Sequence, residues 1–172
     1  MFFLQMSGFP GSGKSTLARE IAKQTGAVLV DHDVVKSALL EEVSNIDRKE
    51  AGIFSYNIDW AIVESNLSIG HSVILDSPCL YDVMIEKGEY LVEKYKAKYK
   101  YIECVLEDFQ EVNKRLKNRE KMASQISEIK SKEAFQLTLK SSKRPNKHAT
   151  LIIDTSQHPD TYLSKVMDYI NE

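Results

Sequence analysis

Cysteine is scarce in this chain and carries no metal or disulfide pattern: Cys79 and Cys104 form no C-x-x-C pair, and the four histidines, His32, His71, His148 and His158, stand apart without ligand spacing. Structural zinc and a disulfide framework are therefore not expected. Long hydrophobic runs are missing too. No stretch approaches the ~20 apolar residues that a membrane span needs, and the apolar N-terminal run has neither a basic leader nor a cleavage-site pattern. A cytoplasmic, reducing location without a membrane partner is the expectation. Nor does charge of one sign dominate. The 23 basic and 25 acidic residues leave a formal charge of −2, so any anionic partner must be recognised locally rather than by the global field. At 172 residues the chain is long enough for a complete core, and one domain spanning 1–172 is expected, with no obligate protein partner.

Five short apolar runs alternate with helical patterns: Phe2 to Met6, Ala27 to Val30, Val73 to Leu75, Tyr101 to Leu106 and Leu151 to Ile153. Strands separated by helices predict an α/β fold on a five-stranded parallel sheet. Between the second and third runs, Ile53, Tyr56, Trp60, Val63 and Leu67 recur at spacings of three and four, marking one buried helix face that Gly70 closes. A final helix is expected after Pro159, with Leu163, Val166, Met167 and Ile170 on one stripe. The stretch 121–146 is rich in Lys, Ser and Glu, with a weak stripe of Ile126, Ile129, Phe135, Leu137 and Leu139. It reads as a small helical lid or, more plainly, as a surface helix on a loose connection. Lys94 to Tyr101 interleaves lysines with aromatics, which can track a phosphate backbone, but as the join between a helix and a strand it is read as solvated surface.

The strongest signal is Gly8-Phe9-Pro10-Gly11-Ser12-Gly13-Lys14-Ser15, a G-x-x-x-x-G-K-S loop between the first strand and an amphipathic helix. Gly8, Gly11 and Gly13 let the backbone curl so that successive N–H groups, Ser12 among them, point at phosphate oxygens. Lys14 reaches the β- and γ-phosphates, the Ser15 hydroxyl can ligate magnesium, and Thr16 follows in the first helical turn, whose dipole favours anions. ATP and Mg²⁺ are the expected cofactors.

In open parallel sheets the ligand crevice lies at the carboxyl ends of the strands, and three ends carry aspartate. Asp31 and Asp33 follow the second run, Asp76 ends the third and Asp154 the fifth. Such a carboxylate can take a proton from an attacking hydroxyl or hold magnesium. Asp31 or Asp33 could instead be only a helix N-cap, and Asp154 only a turn residue. Arg115 and Arg119, four apart at the entrance to the candidate lid, share a helix face that can meet phosphate or simply water. Arg144 is a weaker third candidate.

The phosphate loop, the D-x-x-K from Asp33 to Lys36, the Val-Ile-Leu-Asp strand ending at Asp76 and the Arg-x-x-x-Arg pair together resemble the small P-loop kinases with an AAA-type ATP-binding domain. The group containing polynucleotide 5′-kinases, chloramphenicol phosphotransferases and zeta-toxin-like kinases is the nearest in pattern. The resemblance implies a P-loop NTPase fold with sheet order 2-3-1-4-5. It implies that Asp33 is the general base, that Asp76 lies near acceptor and metal, and that Arg119 touches ATP. Where similar kinases have an acceptor-holding arginine, this chain has Lys36, which loses the bidentate fork.

Absences sharpen this reading. Asp76 is followed by Ser77, not by the glutamate with which hydrolytic relatives polarise water. Neither N-K-x-D nor D-x-x-G occurs. The expectation is an ATP- and magnesium-dependent phosphotransferase acting on a hydroxyl of a small molecule or a nucleic-acid 5′ end. Lys14, Asp33, Arg115 and Arg119 would be catalytic, Ser15 and Asp76 would serve the metal, and Asp33, Lys36 and Asp76 the acceptor. The alternatives are a nucleoside monophosphate kinase, disfavoured because Arg48 is the only arginine between Asp33 and Asp76, and a nucleotide-responsive binding module.

Overall fold

The apolar N-terminal run forms β1 (Phe2–Gly8), and in the computed structural model, which describes residues 1–172, it is the central strand of one parallel sheet. β3 (Val73–Asp76) and β4 (Lys98–Val105) flank it, with β2 (Val28–Asp31) and β5 (Thr150–Asp154) at the edges, so the order is β2-β3-β1-β4-β5. A parallel strand covered on both faces is apolar on both, which is why Phe3, Leu4 and Met6 are all fully buried. Gln5 breaks that run without penalty, because its amide accepts the Tyr99 hydroxyl at 2.6 Å and donates to Cys79 Sγ at 3.2 Å.

One face of the sheet packs on α1 (Lys14–Thr25) and α7 (Leu163–Asn171) through Leu17, Ile21, Val166 and Ile170. The other packs on α3 (Arg48–Ser68) and α4 (Asp82–Tyr95), where Phe3 meets Trp60 and Tyr99 at centroid separations of 5.8 and 5.7 Å. Each such fully buried side chain contributes about 1.5–3 kcal/mol. Of the remaining helices, α2 (His32–Glu42) and α5 (Phe109–Asn118) line the crevice, and α6 (Lys132–Ser141) packs on α5. No helix is long and apolar enough to cross a membrane.

Three expectations change. Ile53 is 53% exposed, because the N-terminal half of α3 is buried through Ala51, Ser55 and Asp59 instead, residues that a search for large apolar side chains passes over. The Lys94–Tyr101 stretch is not all solvated surface. Its alternation is a period-two strand pattern: β4 starts at Lys98, Tyr99 and Tyr101 join the core, and Lys100 is buried with Nζ donating to the Tyr169 carbonyl at 2.6 Å. Stretch 121–146 has a firmer anchor than its weak stripe suggested. Ser131 caps α6, and Phe135 is fully buried, edge-on to Phe9 at 4.8 Å, beside Val112 and Leu116 of α5. Ile126 and Leu137 stay exposed.

Candidate active site

The loop between β1 and α1 needs glycine for a steric reason at its start and a conformational one at its end. At Gly8, with φ 141°, a Cβ would stand 2.5 Å from the Cys104 carbonyl oxygen and 2.6 Å from Ser12 Oγ. Gly13 occupies the left-handed region, φ 84°, as the N-cap of α1. Lys14 thus opens the helix, buried to 9% exposure, and its Nζ lies 3.0 Å from Asp76 Oδ1 at the end of β3. Burial opposes the Lys14 charge, yet the Asp76 carboxylate, with Asp33 and Asp31 behind it, outweighs that and raises its pKa.

Asp76 Oδ2 is buried and has no partner in the protein. An orphaned carboxylate oxygen beside a P-loop lysine, with Ser15 next in the chain lining the crevice, suits a magnesium ion held mainly by substrate phosphates and water, which needs only one or two protein ligands. The chain has no cluster of three or more His, Cys, Asp or Glu able to enclose a metal by itself.

At the end of β2 the two aspartates part company. Asp31 caps α2, accepting the Asp33 N–H at 3.0 Å, and pairs with Arg19 at 3.1 Å. Burial and then the Asp76 charge raise its pKa. Asp33, in the first turn of α2, faces the crevice. Its Oδ1 accepts from Ser124 Oγ at 3.1 Å and its Oδ2 from Gln125 Nε2 at 2.9 Å. Ser124 is also tied to Ser37, and Arg48 donates to the carbonyls of Ala123 and Ser124 at 2.7 and 3.4 Å. The segment between α5 and α6 is thereby fastened over the candidate base.

The two arginines do not share a helix face as expected, because Arg115 lies in α5 while Arg119 is its C-cap with extended backbone, and they serve different walls. Arg115 donates to the Thr155 carbonyl at 3.0 Å and to Glu111 at 3.0 Å, beside Gly13. Arg119 donates to the Ile126 carbonyl at 2.9 Å and leaves a buried Nε without a partner; burial lowers its pKa, opposed by Asp33. Thr155 joins the parts: its hydroxyl bonds the Ser12 carbonyl at 2.6 Å and its N–H the Val105 carbonyl at 3.0 Å.

A crevice of 1090 Å³ collects Gly11, Gly13, Lys14, Ser15, Thr16, Asp33, Lys36, Arg115 and Arg119 on one surface. Gly8, Ser12 and Asp76 lie just beneath it and are not part of the lining. Eight basic and three acidic side chains line it, so a chain of nearly zero net charge has a locally cationic cleft. Arg144, by contrast, is spent on Glu103 at 2.5 Å, and Asp154 accepts the Ser156 N–H at 2.9 Å as a turn residue.

Sequence reasoning missed Thr155, the Ser124–Gln125 fastening and a buried pair, His32 Nδ1 with Asp59 Oδ2 at 2.6 Å, stacked against Tyr56. Thr155 follows a strand-end aspartate and was within reach of the strand-end rule. Ser124 and Gln125 sit in a polar stretch with no periodic signal.

Sheet order, loop and lysine–aspartate pair define a P-loop NTPase of kinase-like fold. Residues 4–145 match the AAA domain family, and the chain belongs to it. No curated protein sequence matches significantly. Solved structures similar in fold include a Chloroflexus aurantiacus protein provisionally classed as a kinase (18% identity, 98% of this chain and 97% of that one, TM-score 0.77). A gluconokinase from Sinorhizobium meliloti (16%, 99% and 91%, TM-score 0.61) is another. So is Kti12 of Chaetomium thermophilum bound to ADP-AlF3 (17%, 98% and 98%, TM-score 0.66).

Proposed function

We propose that this protein is an ATP- and magnesium-dependent kinase that transfers the γ-phosphoryl group to an alcohol. The observation carrying this reading is the pairing of a phosphate loop with a carboxylate in the first turn of α2, Asp33, across one cationic cleft. The kinase fold of the neighbours and the nucleotide on Kti12 support it. Lys14 and the loop N–H groups would hold the phosphates, and Ser15 and Asp76 the magnesium, whose charge offsets that of the transferring group. Arg115 closes the wall toward Thr155, leaving Arg119, on which the Asp33 charge acts, to meet charge on the γ-phosphoryl oxygens. Asp33 would accept the hydroxyl proton once the acceptor displaces Ser124 and Gln125 from its carboxylate.

The test is ADP formation from Mg-ATP with a panel of sugars, nucleosides, nucleotides, 5′-hydroxyl oligonucleotides and antibiotics. Acceptor-dependent ADP is expected, lost about a hundred-fold or more in Lys14→Ala. In Asp33→Asn transfer is expected to fail while ATP binding persists. ATP binding with no acceptor-stimulated turnover would leave the binding-module reading in its place.

A further inference from the structure

Between α2, α3 and the fastened segment, the cleft beyond Asp33 contains cations held in no ion pair. Lys36, Arg48 and Lys49 line it, and none of them makes an ion pair. They converge. Gly52 lies one turn beyond Arg48 and Lys49 on α3, and a Cβ on it would stand 3.2 Å from Lys36 Nζ. Arg48 is pre-positioned by the Ala123 and Ser124 carbonyls, which orient a guanidinium without cancelling its charge. The carboxylate on this wall, Asp33, one turn before Lys36, is engaged by Ser124 and Gln125, while Asp47 and Glu50 form the capping box of α3 and do not line the cleft. His32 completes the group. Nearly buried, it has Nδ1 on Asp59 and leaves Nε2 without a partner on the cleft side. Tyr56, Tyr81 and Ile53 supply an apolar wall of ring size alongside.

Resting on the kinase reading, we infer that the acceptor is an anionic alcohol, a hydroxyl compound whose phosphate or carboxylate is held by Lys36, Arg48 and Lys49 while its hydroxyl meets Asp33. Loss of the arginine fork at position 36 is thus offset by Arg48, which comes from another helix. Clustered cations left unpaired repel one another and are tolerated where a ligand supplies the opposite charge.

The experiment loads the protein with Mg-AMP-PNP, filling the donor phosphate positions, and titrates glycerol, glycerate and glycerol 3-phosphate by calorimetry. These probes share a hydroxylated skeleton and differ in having no charge, a carboxylate or a phosphate. Either or both anions should bind at least about tenfold tighter than glycerol, and Lys36→Gln/Lys49→Gln should lose that advantage while Lys36→Arg keeps it. Preference for one anion identifies which group the site takes. AMP-PNP affinity of each variant reports whether the donor side is still folded. Anions that bind no better than glycerol, or equally well to a folded double variant, overturn the inference. Failure of the kinase reading looks different: it is absence of AMP-PNP binding, or of ADP formation with every acceptor, and neither decides whether anions bind.

Discussion

Replacing Lys14 by Met separates what the lysine does for the fold from what it does for the nucleotide. The Asp76 side chain is 0% exposed and that of Lys14 10%, with 3.0 Å between their charges. Removing one member of a buried pair strands the other, at about 3–5 kcal/mol. The open cleft above Lys14 admits some water, so the lower end is expected, about 3 kcal/mol, or a fall in Tm of about 6–12 °C for a chain of this length. Adding Asp76→Asn removes the stranded charge and should restore roughly 2 kcal/mol, a coupling typical of contacting residues. Urea unfolding of the wild type, both single variants and the double variant measures this. Titration of the same four proteins with Mg-ATP should give a different ordering, with affinity lost in Lys14→Met and not restored in the double variant. A urea midpoint unchanged in Lys14→Met, or a double variant no more stable than that single, would refute the buried-pair argument.

Arg115→Ala should weaken ATP and ADP alike by about tenfold, because its hydrogen bonds tie α5 to Thr155 and so to Ser12 of the loop, whereas Arg119→Ala should lower turnover with little change in ADP affinity. Nucleotide titration and steady-state kinetics separate the two. Burial pushes the Cys79 thiol up to about 11 and Cys104 up to about 12, and raises Tyr99 and Tyr101 as well. Each therefore holds its proton in the folded state where the unfolded chain has lost it. Stability should be full below about pH 8.5 and fall as pH climbs toward 12, and native thiols should resist alkylation at pH 8; a flat alkaline urea profile would contradict this. Gly88→Ala should destabilise by about 1–2 kcal/mol in urea despite better helix propensity, since its Cβ would stand 2.7 Å from Tyr99 Cε2 and 2.9 Å from Phe3 Cε1.

The phosphate loop was legible because its chemistry is local: eight consecutive residues fix the turn, the lysine and the hydroxyl. Sheet order was legible only through resemblance, since five apolar runs are compatible with many orders. The phase of α3 failed where Ser55 and Asp59, polar yet buried, carry the inward face; Ser55 bonds the Ala51 carbonyl at 2.7 Å, and Asp59 Oδ2 pairs with His32. The Lys-Tyr alternation before β4 was a strand signal of period two, hidden by the expectation that lysines stay outside. Lys36, Arg48 and Lys49 are spread over two helices, and only tertiary packing shows that they face one another.

Where the molecule leaves polar atoms unsatisfied bears on the same question. The buried side-chain atoms without a hydrogen-bond partner are Ser12 Oγ, Asp59 Oδ1, the Asp76 carboxylate, Ser77 Oγ and Arg119 Nε; the Lys14–Asp76 contact is an ion pair whose angles fall short of a hydrogen bond. Elsewhere in the core the accounts close: Gln5 has Tyr99 and Cys79, and Thr155 has Ser12 and Val105. Each orphan costs about 1–3 kcal/mol, so chance scatter over the whole interior would be a poor explanation for atoms gathered at the phosphate loop, the end of β3 and the segment over Asp33. Ser12, Asp76 and Arg119 bear the groups that phosphate and magnesium would satisfy, and Asp59 holds the histidine that borders the acceptor side. The stability missing from this region is therefore recoverable by ligand: at a hundred times its dissociation constant a nucleotide adds about 2.7 kcal/mol to the folded state, comparable with what a single orphaned group withholds.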